Sequence, residues 1–300
     1  MIKNICLINN YNNEAYILDC LQSVFSQTHP FDEVILVDDG STDSSLQIID
    51  EFCKIHHNLK LHQKNNEGQF STFNAALLLI PDNAQIFLLD SDDIYPKDYL
   101  SLVLAQINRD SWDFAFCEQQ QFSDTSSPSS SALINQSSPY FFGCTSALTR
   151  SRGCWIGNPT SCLSLSSDLY KKIFPYPYTQ DKVFWADNLM IFASSILGAK
   201  KIYLPGVGIG WRTHEGNNSK KPYTLEDVAI RELAISRTFT WYCEKYTIPR
   251  YPKVMEFFSE YKKLSPYWKK RLDLPNQYRI LNRLIRNYIQ QIIGRKSKRN

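Results

Sequence analysis

The sequence predicts an α/β chain built on a parallel sheet, and three observations carry the prediction. Through the first 110 residues, short β-rich runs alternate with stretches of helical periodicity, the pattern of βαβ units. Runs such as Ile5–Ile8 and Ile86–Leu89 are apolar throughout, as buried strands are. Several strands end in polar clusters, which is where open α/β sheets place their ligands. A 300-residue chain that is 43% hydrophobic has room for one large domain, or for a domain with an appendage.

Ile5–Ile8 is the first strand, and Ile17, Leu18, Leu21, Val24 and Phe25 then recur at helical spacing until Pro30 closes the segment. Val34–Val37 is the second strand. The turn and capping residues of Asp38-Asp-Gly-Ser-Thr-Asp43 lead from it into a helix with Leu46, Ile49 and Phe52 on one face. Leu59–Gln63 reads as a weaker strand and Ser71–Leu79 as a helix that stops at Pro81. Ile86–Leu89 is a strand ending at Asp90-Ser-Asp-Asp93, followed by a helix over Lys97–Arg109 and an extended run over Trp112–Glu118. Gln119–Tyr140 is Ser-rich with two prolines and few large apolar residues, and is expected to be a mobile loop. Mixed structure resumes from Gly143 to Trp211, with a helix over Ala186–Leu197 that buries Leu189, Phe192, Ala193 and Ile196. Beyond Lys220 the pattern is helical, interrupted near Pro249, Pro252, Pro266 and Pro275. In the last element Tyr278, Leu281, Leu284, Ile285, Tyr288 and Ile292 share one face, and Arg279, Arg283, Arg286 and Gln290 the opposite one.

No stretch approaches the ~20 apolar residues that cross a bilayer, and the N-terminus has too short an apolar run for a signal peptide. A cytoplasmic protein is expected. The eight cysteines form no Cys-x-x-Cys pair and no zinc spacing with histidine, so reduced, mostly buried thiols are expected. Asn135-Gln-Ser and Asn217-Asn-Ser match the glycosylation triplet, as short triplets do by chance. The net charge of +3 conceals a division: residues 261–300 hold twelve Lys and Arg against Asp273 alone, a net +11, and the first 260 residues carry −8. An acidic body with a basic appendage is expected, divided into a domain over 1–220 and a helical extension over 221–300.

Polar clusters follow three strands: Asn9 to Asn12, Asp38-Asp39 and Asp90-Ser91-Asp92. Two carboxylates one residue apart in a turn can aim at one hard cation, and Mg²⁺ or Mn²⁺ held by one or two carboxylates keeps open positions for phosphate oxygens. The chain has neither Gly-x-Gly-x-x-Gly nor a Walker Gly-Lys-Ser/Thr, so the usual glycine-loop phosphate sites are absent. Carboxylates, metal and side chains would have to hold a nucleotide.

The ordered series Tyr11-Asn-Asn-Glu14, Gln27-Thr28, Val37-Asp-Asp-Gly-Ser-Thr-Asp43, Asn66-Glu-Gly-Gln-Phe-Ser-Thr-Phe-Asn74 and Leu89-Asp-Ser-Asp-Asp93 resembles the family 2 glycosyltransferases, over roughly the first 220 residues. The resemblance implies the GT-A fold, a mixed, mainly parallel sheet flanked by helices, here with a C-terminal helical extension. It implies inverting transfer of a sugar from a nucleoside diphosphate, UDP most simply, to a hydroxyl of a saccharide or lipid-linked glycan with Mg²⁺ or Mn²⁺. By motif position Asn10, Tyr11 and Asn12 would line the base pocket, Asp39 would hydrogen-bond the base, Asp90 with Ser91 would face the ribose, and Asp92 would ligate the metal. Gly68 would allow close backbone approach, and Gln69 matches a family sub-pattern.

Trp185-Ala-Asp-Asn-Leu189 is similar to the family segment that opens a helix under the acceptor, so Asp187 is the candidate base, with Asp181 the runner-up. Gly210-Trp-Arg-Thr-His214 is similar to its closing segment, which makes His214 a candidate ligand and Arg212 a phosphate partner. The plainer alternatives are helix capping for Asp38, Asp39 and Asp187 and a solvated turn position for Asp93. Two departures stand out: Asn9-Asn10 where many members have Pro-Thr, and Phe73 where many have Arg. The basic amphipathic run Tyr278–Arg299 would dock on an anionic inner membrane surface or pack on the body; nucleic-acid binding is not expected. A catalytically silent sugar-nucleotide or scaffold protein is the competing class.

Overall fold

The computed structural model describes residues 2–107, 112–123, 131–133, 135, 137–180, 183–215 and 223–274. The first half is the expected alternation: β1 (Lys3–Asn10), α1 (Ile17–Phe25), β2 (Glu33–Asp38), α2 (Ser45–Ile55), β3 (Leu59–Gln63), α3 (Gln69–Ala76), β4 (Ala84–Asp90) and α4 (Tyr99–Gln106). These four strands pair in parallel, β2 between β3 and β1, and β1 between β2 and β4. All six residues of β2 are buried because helices cover both faces of the sheet, which is why the run is apolar without alternation.

The sheet continues with β5 (Phe114–Phe122), β6 (Tyr140–Gly143), β7 (Leu163–Ser166) and β8 (Lys201–Arg212) in the order β3-β2-β1-β4-β7-β5-β8-β6. Pairing is antiparallel for β4 with β7, β5 with β7 and β6 with β8, and parallel for β5 with β8. The result is a mixed, mainly parallel sheet flanked by helices. Side chains of one strand alternate between two cores. Ile5, Leu7, Ile35, Val37, Ile86 and Leu88 face one core, and Cys6, Ile8, Val34, Leu36, Phe87 and Leu89 the other.

The loop expected over Gln119–Tyr140 is corrected at both ends. Gln119 to Phe122 continue β5 and pair with Ile209 to Arg212 of β8, while Tyr140 opens β6. Between them, the buried Ala132 donates its N–H to Asp98 Oδ1 at 2.6 Å and accepts from Gly208 N at 2.9 Å. Hydrogen bonds to β8 and to Asp98 hold Gln119–Phe122 and Ala132 where composition predicts a loop, and residues 124–130, 134 and 136 of that stretch lie outside the described residues.

The connecting helices are α5 (Ser146–Arg152), α6 (Ser167–Ile173) and α7 (Ala186–Ile196). The C-terminal region is helical: α8 (Leu225–Lys245), α9 (Val254–Lys263) and α10 (Pro266–Arg271). These helices share the core of the body, burying Ala234, Phe239, Tyr242, Phe257, Tyr261 and Trp268. The amphipathic run Tyr278–Arg299 lies outside the described residues. Among the described residues no helix is long and apolar enough to cross a membrane. The eight cysteines are free; Cys6, Cys20, Cys117, Cys154, Cys162 and Cys243 are buried, and Cys144 is exposed.

Candidate active site

Parallel register aligns the strand ends. Asn9 of β1 stands opposite Asp90 of β4, and Asn10 opposite Asp38 of β2, so the polar clusters open onto one edge. Asp38 is fully buried and accepts from Asn10 Nδ2 at 2.7 Å, Ser41 Oγ at 2.6 Å and Ser41 N at 2.9 Å, which holds the turn. Asp39 accepts from the backbone N–H groups of Gly68 at 2.8 Å and Glu67 at 3.1 Å, and it pairs with the Lys64 ammonium. Two glycines permit this approach. Gly40 has φ +74°, and a Cβ there would meet Asn66 N at 2.8 Å; Gly68 has φ +90°. Asn12 closes the same region, with Oδ1 accepting from Thr42 N at 2.7 Å. Phe73 is fully buried and stacks on Phe174.

The acidic turn after β4 has a rigid back and an open front. Asp93 is 3% exposed, contrary to the solvated position expected, because it accepts from Ser161 Oγ at 2.6 Å and Arg212 N at 2.9 Å. Burial, with the charges of Asp92 and Asp90, pushes its carboxyl well above the usual range. Arg212 is placed differently from the phosphate partner expected: its guanidinium lies behind the turn. Nε donates to Asp92 O at 3.0 Å, the terminal NH2 group pairs with Asp19 at 2.8 Å, and the rings of Tyr16 and Phe122 flank it at 4.9 and 4.6 Å. His214 also packs against Tyr16, with ring centroids 4.6 Å apart, and its Nε2 is 3.0 Å from Asp92 Oδ2. In front, Ser91 Oγ accepts from Asn13 Nδ2 at 2.6 Å, and Asp90 accepts from Asn9 Nδ2.

The third component is the N-terminus of α7. Gln69 Oε1 accepts from Ala186 N at 3.1 Å, tying the start of α7 to the start of α3. Asp187 follows in the first turn, its Oδ1 accepting from Asn188 N at 2.6 Å and Asn188 Nδ2 at 2.9 Å. Burial pushes Asp187 up to about 6, against the Asn188 bonds and the charge of Arg231. Asp90 is pushed up to about 7 by burial and then by Asp92, with Asp187 adding to it and hydrogen bonds from Asn9 and Gln69 opposing it.

These groups share one cleft of about 900 Å³. Of the residues singled out in the sequence, Asn10, Tyr11, Asn12, Asp39, Gly68, Gln69, Asp90, Ser91, Asp92, Asp187 and His214 line it. Arg212 is absent from the lining, and Asp181 lies outside the described residues. Sequence reasoning missed Lys64, Tyr16, Asn13, Trp185, Asn188 and Arg231. Asn13, Trp185 and Asn188 stand inside the motif segments without a role of their own, and Lys64 follows a strand end as the aspartates do.

A divalent cation fits the donor set. Asp92 and His214, with side chains 21% and 13% exposed, present an oxygen and an imidazole nitrogen toward each other, while Asp90 and Asp187 add negative charge that a cation would offset. Among the described residues no group of three His, Cys, Asp or Glu side chains could hold a metal by itself. Mg²⁺ or Mn²⁺ takes one or two carboxylates and completes its shell with phosphate and water.

Comparison with known proteins decides the family. The sequence profile of glycosyl transferase family 2 matches residues 6–174, more than half of the chain. The chain belongs to glycosyl transferase family 2. This family 2 chain is 26% identical over 235 residues to an uncharacterized glycosyltransferase of Nostoc sp., a match over 77% of the chain and 72% of that protein. It is 34% identical over 119 residues to the minor teichoic acid biosynthesis protein GgaA of Bacillus subtilis, covering 38% of the chain and 25% of GgaA. Its fold is similar to that of S. aureus TarS 1–349 in complex with UDP-GlcNAc, at a TM-score of 0.59 and 20% identity, over 93% of this chain and 78% of TarS 1–349. The architecture is the GT-A fold.

Proposed function

We propose that the chain is an inverting, Mg²⁺- or Mn²⁺-dependent glycosyltransferase. It moves a hexosyl or N-acetylhexosaminyl group from a UDP-type donor to a hydroxyl of a saccharide or lipid-linked glycan, in the synthesis of a cell-surface polysaccharide. The observation that carries this reading is the convergence of Asp39, the Asp92–His214 pair and Asp187 on one cleft. The UDP-GlcNAc complex of TarS supports the donor class, and the match to GgaA supports the polysaccharide context.

In this reading Tyr11, 45% exposed at the cleft, offers a ring to the base, and Asp39 accepts a hydrogen bond from a base N–H. Asp90 and Ser91 receive the ribose. A cation held by Asp92 and His214 would supply charge neutralisation for the leaving diphosphate. Asp187 takes the proton of the acceptor hydroxyl as its oxygen bonds to the anomeric carbon and the bond to the diphosphate breaks, which inverts the centre. A carboxylate pushed up to about 6 is ionised at neutral pH and basic enough to serve, and a positioned base contributes typically ~10²–10⁴-fold. The basic run Tyr278–Arg299 docks the enzyme on the anionic inner face of the membrane, where a lipid-linked acceptor is presented.

The test is Mn²⁺-dependent release of UDP from UDP-glucose and UDP-N-acetylglucosamine, abolished by Asp92→Asn. Neither turnover nor a donor-induced rise in melting temperature with a broad donor panel would overturn the reading. Equal sedimentation with anionic liposomes by the full chain and a chain ending at Leu274 would overturn the membrane assignment.

A further inference from the structure

We propose that Arg231 of α8 is a positioning residue for Asp187, acting through the amide of Asn188, so that the C-terminal helical segment supplies part of the catalytic machinery. The proposal rests on the assignment of Asp187 as the base. It concerns residues beyond the stretch matched by the family profile, which ends at 174.

The geometry is a short relay. Both Asn188 groups that reach Asp187, the backbone N–H at 2.6 Å and Nδ2 at 2.9 Å, donate to the same oxygen, Oδ1. That leaves Oδ2 for the proton of an acceptor hydroxyl. Asn188 is 4% exposed, and its own Oδ1 accepts from the terminal NH2 group of Arg231 at 3.1 Å. A guanidinium can only donate, so the amide must turn its oxygen toward Arg231 and its NH2 toward Asp187. Arg231 therefore selects the one amide orientation that supports an ionised carboxylate. The opposite orientation would set Asn188 Oδ1 against Asp187 Oδ1, acceptor against acceptor.

Arg231 is held firmly enough to do this. The helix begins at a capping box, Thr224 Oγ1 accepting from Asp227 N at 3.1 Å and Asp227 Oδ2 accepting from Thr224 N at 2.9 Å. One turn beyond Arg231 the helix enters the core, where Thr238 Oγ1 and Tyr176 OH lie 3.0 Å apart and Tyr242 OH donates to Ile173 O at 2.7 Å. The same end of the chain also braces the residue on the other flank, since Trp185 Nε1 donates to Tyr223 OH at 3.3 Å. Arg231 from α8 and Asp90 from the end of β4 are charged groups that act on Asp187. Arg231 favours the ionised carboxylate and Asp90 opposes it.

The experiment follows the Asp187 carboxyl by ¹³C NMR titration, assigned through Asp187→Asn, in the full chain and in Arg231→Met, Arg231→Lys and Asn188→Ala. In parallel, kcat and KM are measured for Mn²⁺-dependent hydrolysis of UDP-N-acetylglucosamine and UDP-glucose. Arg231→Met is expected to raise the Asp187 pKa by about one unit and to lower kcat by roughly tenfold with donor KM unchanged. Arg231→Lys should recover part of both effects, and Asn188→Ala should reproduce them. Arg231→Met should add nothing in an Asp187→Asn background. An Asp187 titration that does not move in folded Arg231→Met overturns the relay, and this readout needs no turnover. Wild-type hydrolysis by Asp187→Asn would instead overturn the assignment of the base, whichever way the titration behaves.

Discussion

Arg212 separates two accounts of the closing segment, and Arg212→Met tests them. A phosphate partner would matter only with donor bound; the arrangement seen makes it a buried brace whose loss is felt in the free protein. Its guanidinium bond to the Asp92 carbonyl at 3.0 Å is a charged-donor bond, and such bonds contribute ~1.5–3 kcal/mol. The Tyr16 and Phe122 faces add ~0.5–1 kcal/mol each. The Asp19 pair counts for little, because that carboxylate is 56% exposed and solvent screens it. Methionine recovers some apolar contact, so the net loss is about 2–4 kcal/mol, a fall in Tm of the order of 4–8 °C in a chain of this size. Differential scanning fluorimetry without ligand measures it, and isothermal titration with UDP and Mn²⁺ should show weaker binding through a looser Asp92 turn. An unchanged Tm together with a large loss of UDP affinity would refute the brace and restore the phosphate contact.

Asp187→Asn tests the linkage between burial and protonation. A carboxyl raised from 3.8 to about 6 stabilises the fold below 3.8 relative to higher pH, and that advantage is lost as pH rises through about 6. The variant should therefore melt a few degrees higher than wild type at pH 8 and no higher at pH 4, while wild-type turnover falls as pH drops through ~6. Gly40→Ala should cost at least ~1–2 kcal/mol and weaken UDP binding, since a Cβ meets Asn66 N at 2.8 Å and φ is +74°; urea denaturation with UDP titration measures both. Lys64→Met should weaken UDP binding more than it lowers Tm, by loosening Asp39, and equal UDP affinity would count against a role for the pair.

Local patterns made the sheet and most of the cleft legible. Strands β1, β2 and β4 are covered on both faces, so their apolar runs are unambiguous, and the polar residues that end them had to fall at one edge once the strands were parallel. Gln119 to Phe122 were misjudged because a polar segment can be ordered by strand pairing that composition does not record. Asp93 was misjudged for a related reason: its partners, Ser161 and Arg212, are 68 and 119 residues away. Arg212 falls at the expected turn, and the partners that hold its guanidinium, Asp19, the Asp92 carbonyl, Tyr16 and Phe122, are too far along the chain for a local pattern to name.

By itself the sequence determined the α/β class, the family resemblance and the carboxylates at the strand ends, because strand periodicity and short motifs are encoded within a few consecutive residues. Only the tertiary structure decided which of those carboxylates face a common cleft, that Asp93 is buried at its floor with Arg212 behind the turn, and that a helix beginning at Leu225 reaches Asn188 through Arg231. Those outcomes depend on burial and on hydrogen bonds between residues tens to hundreds of positions apart, and no local pattern specifies which distant side chain will complete a buried polar group.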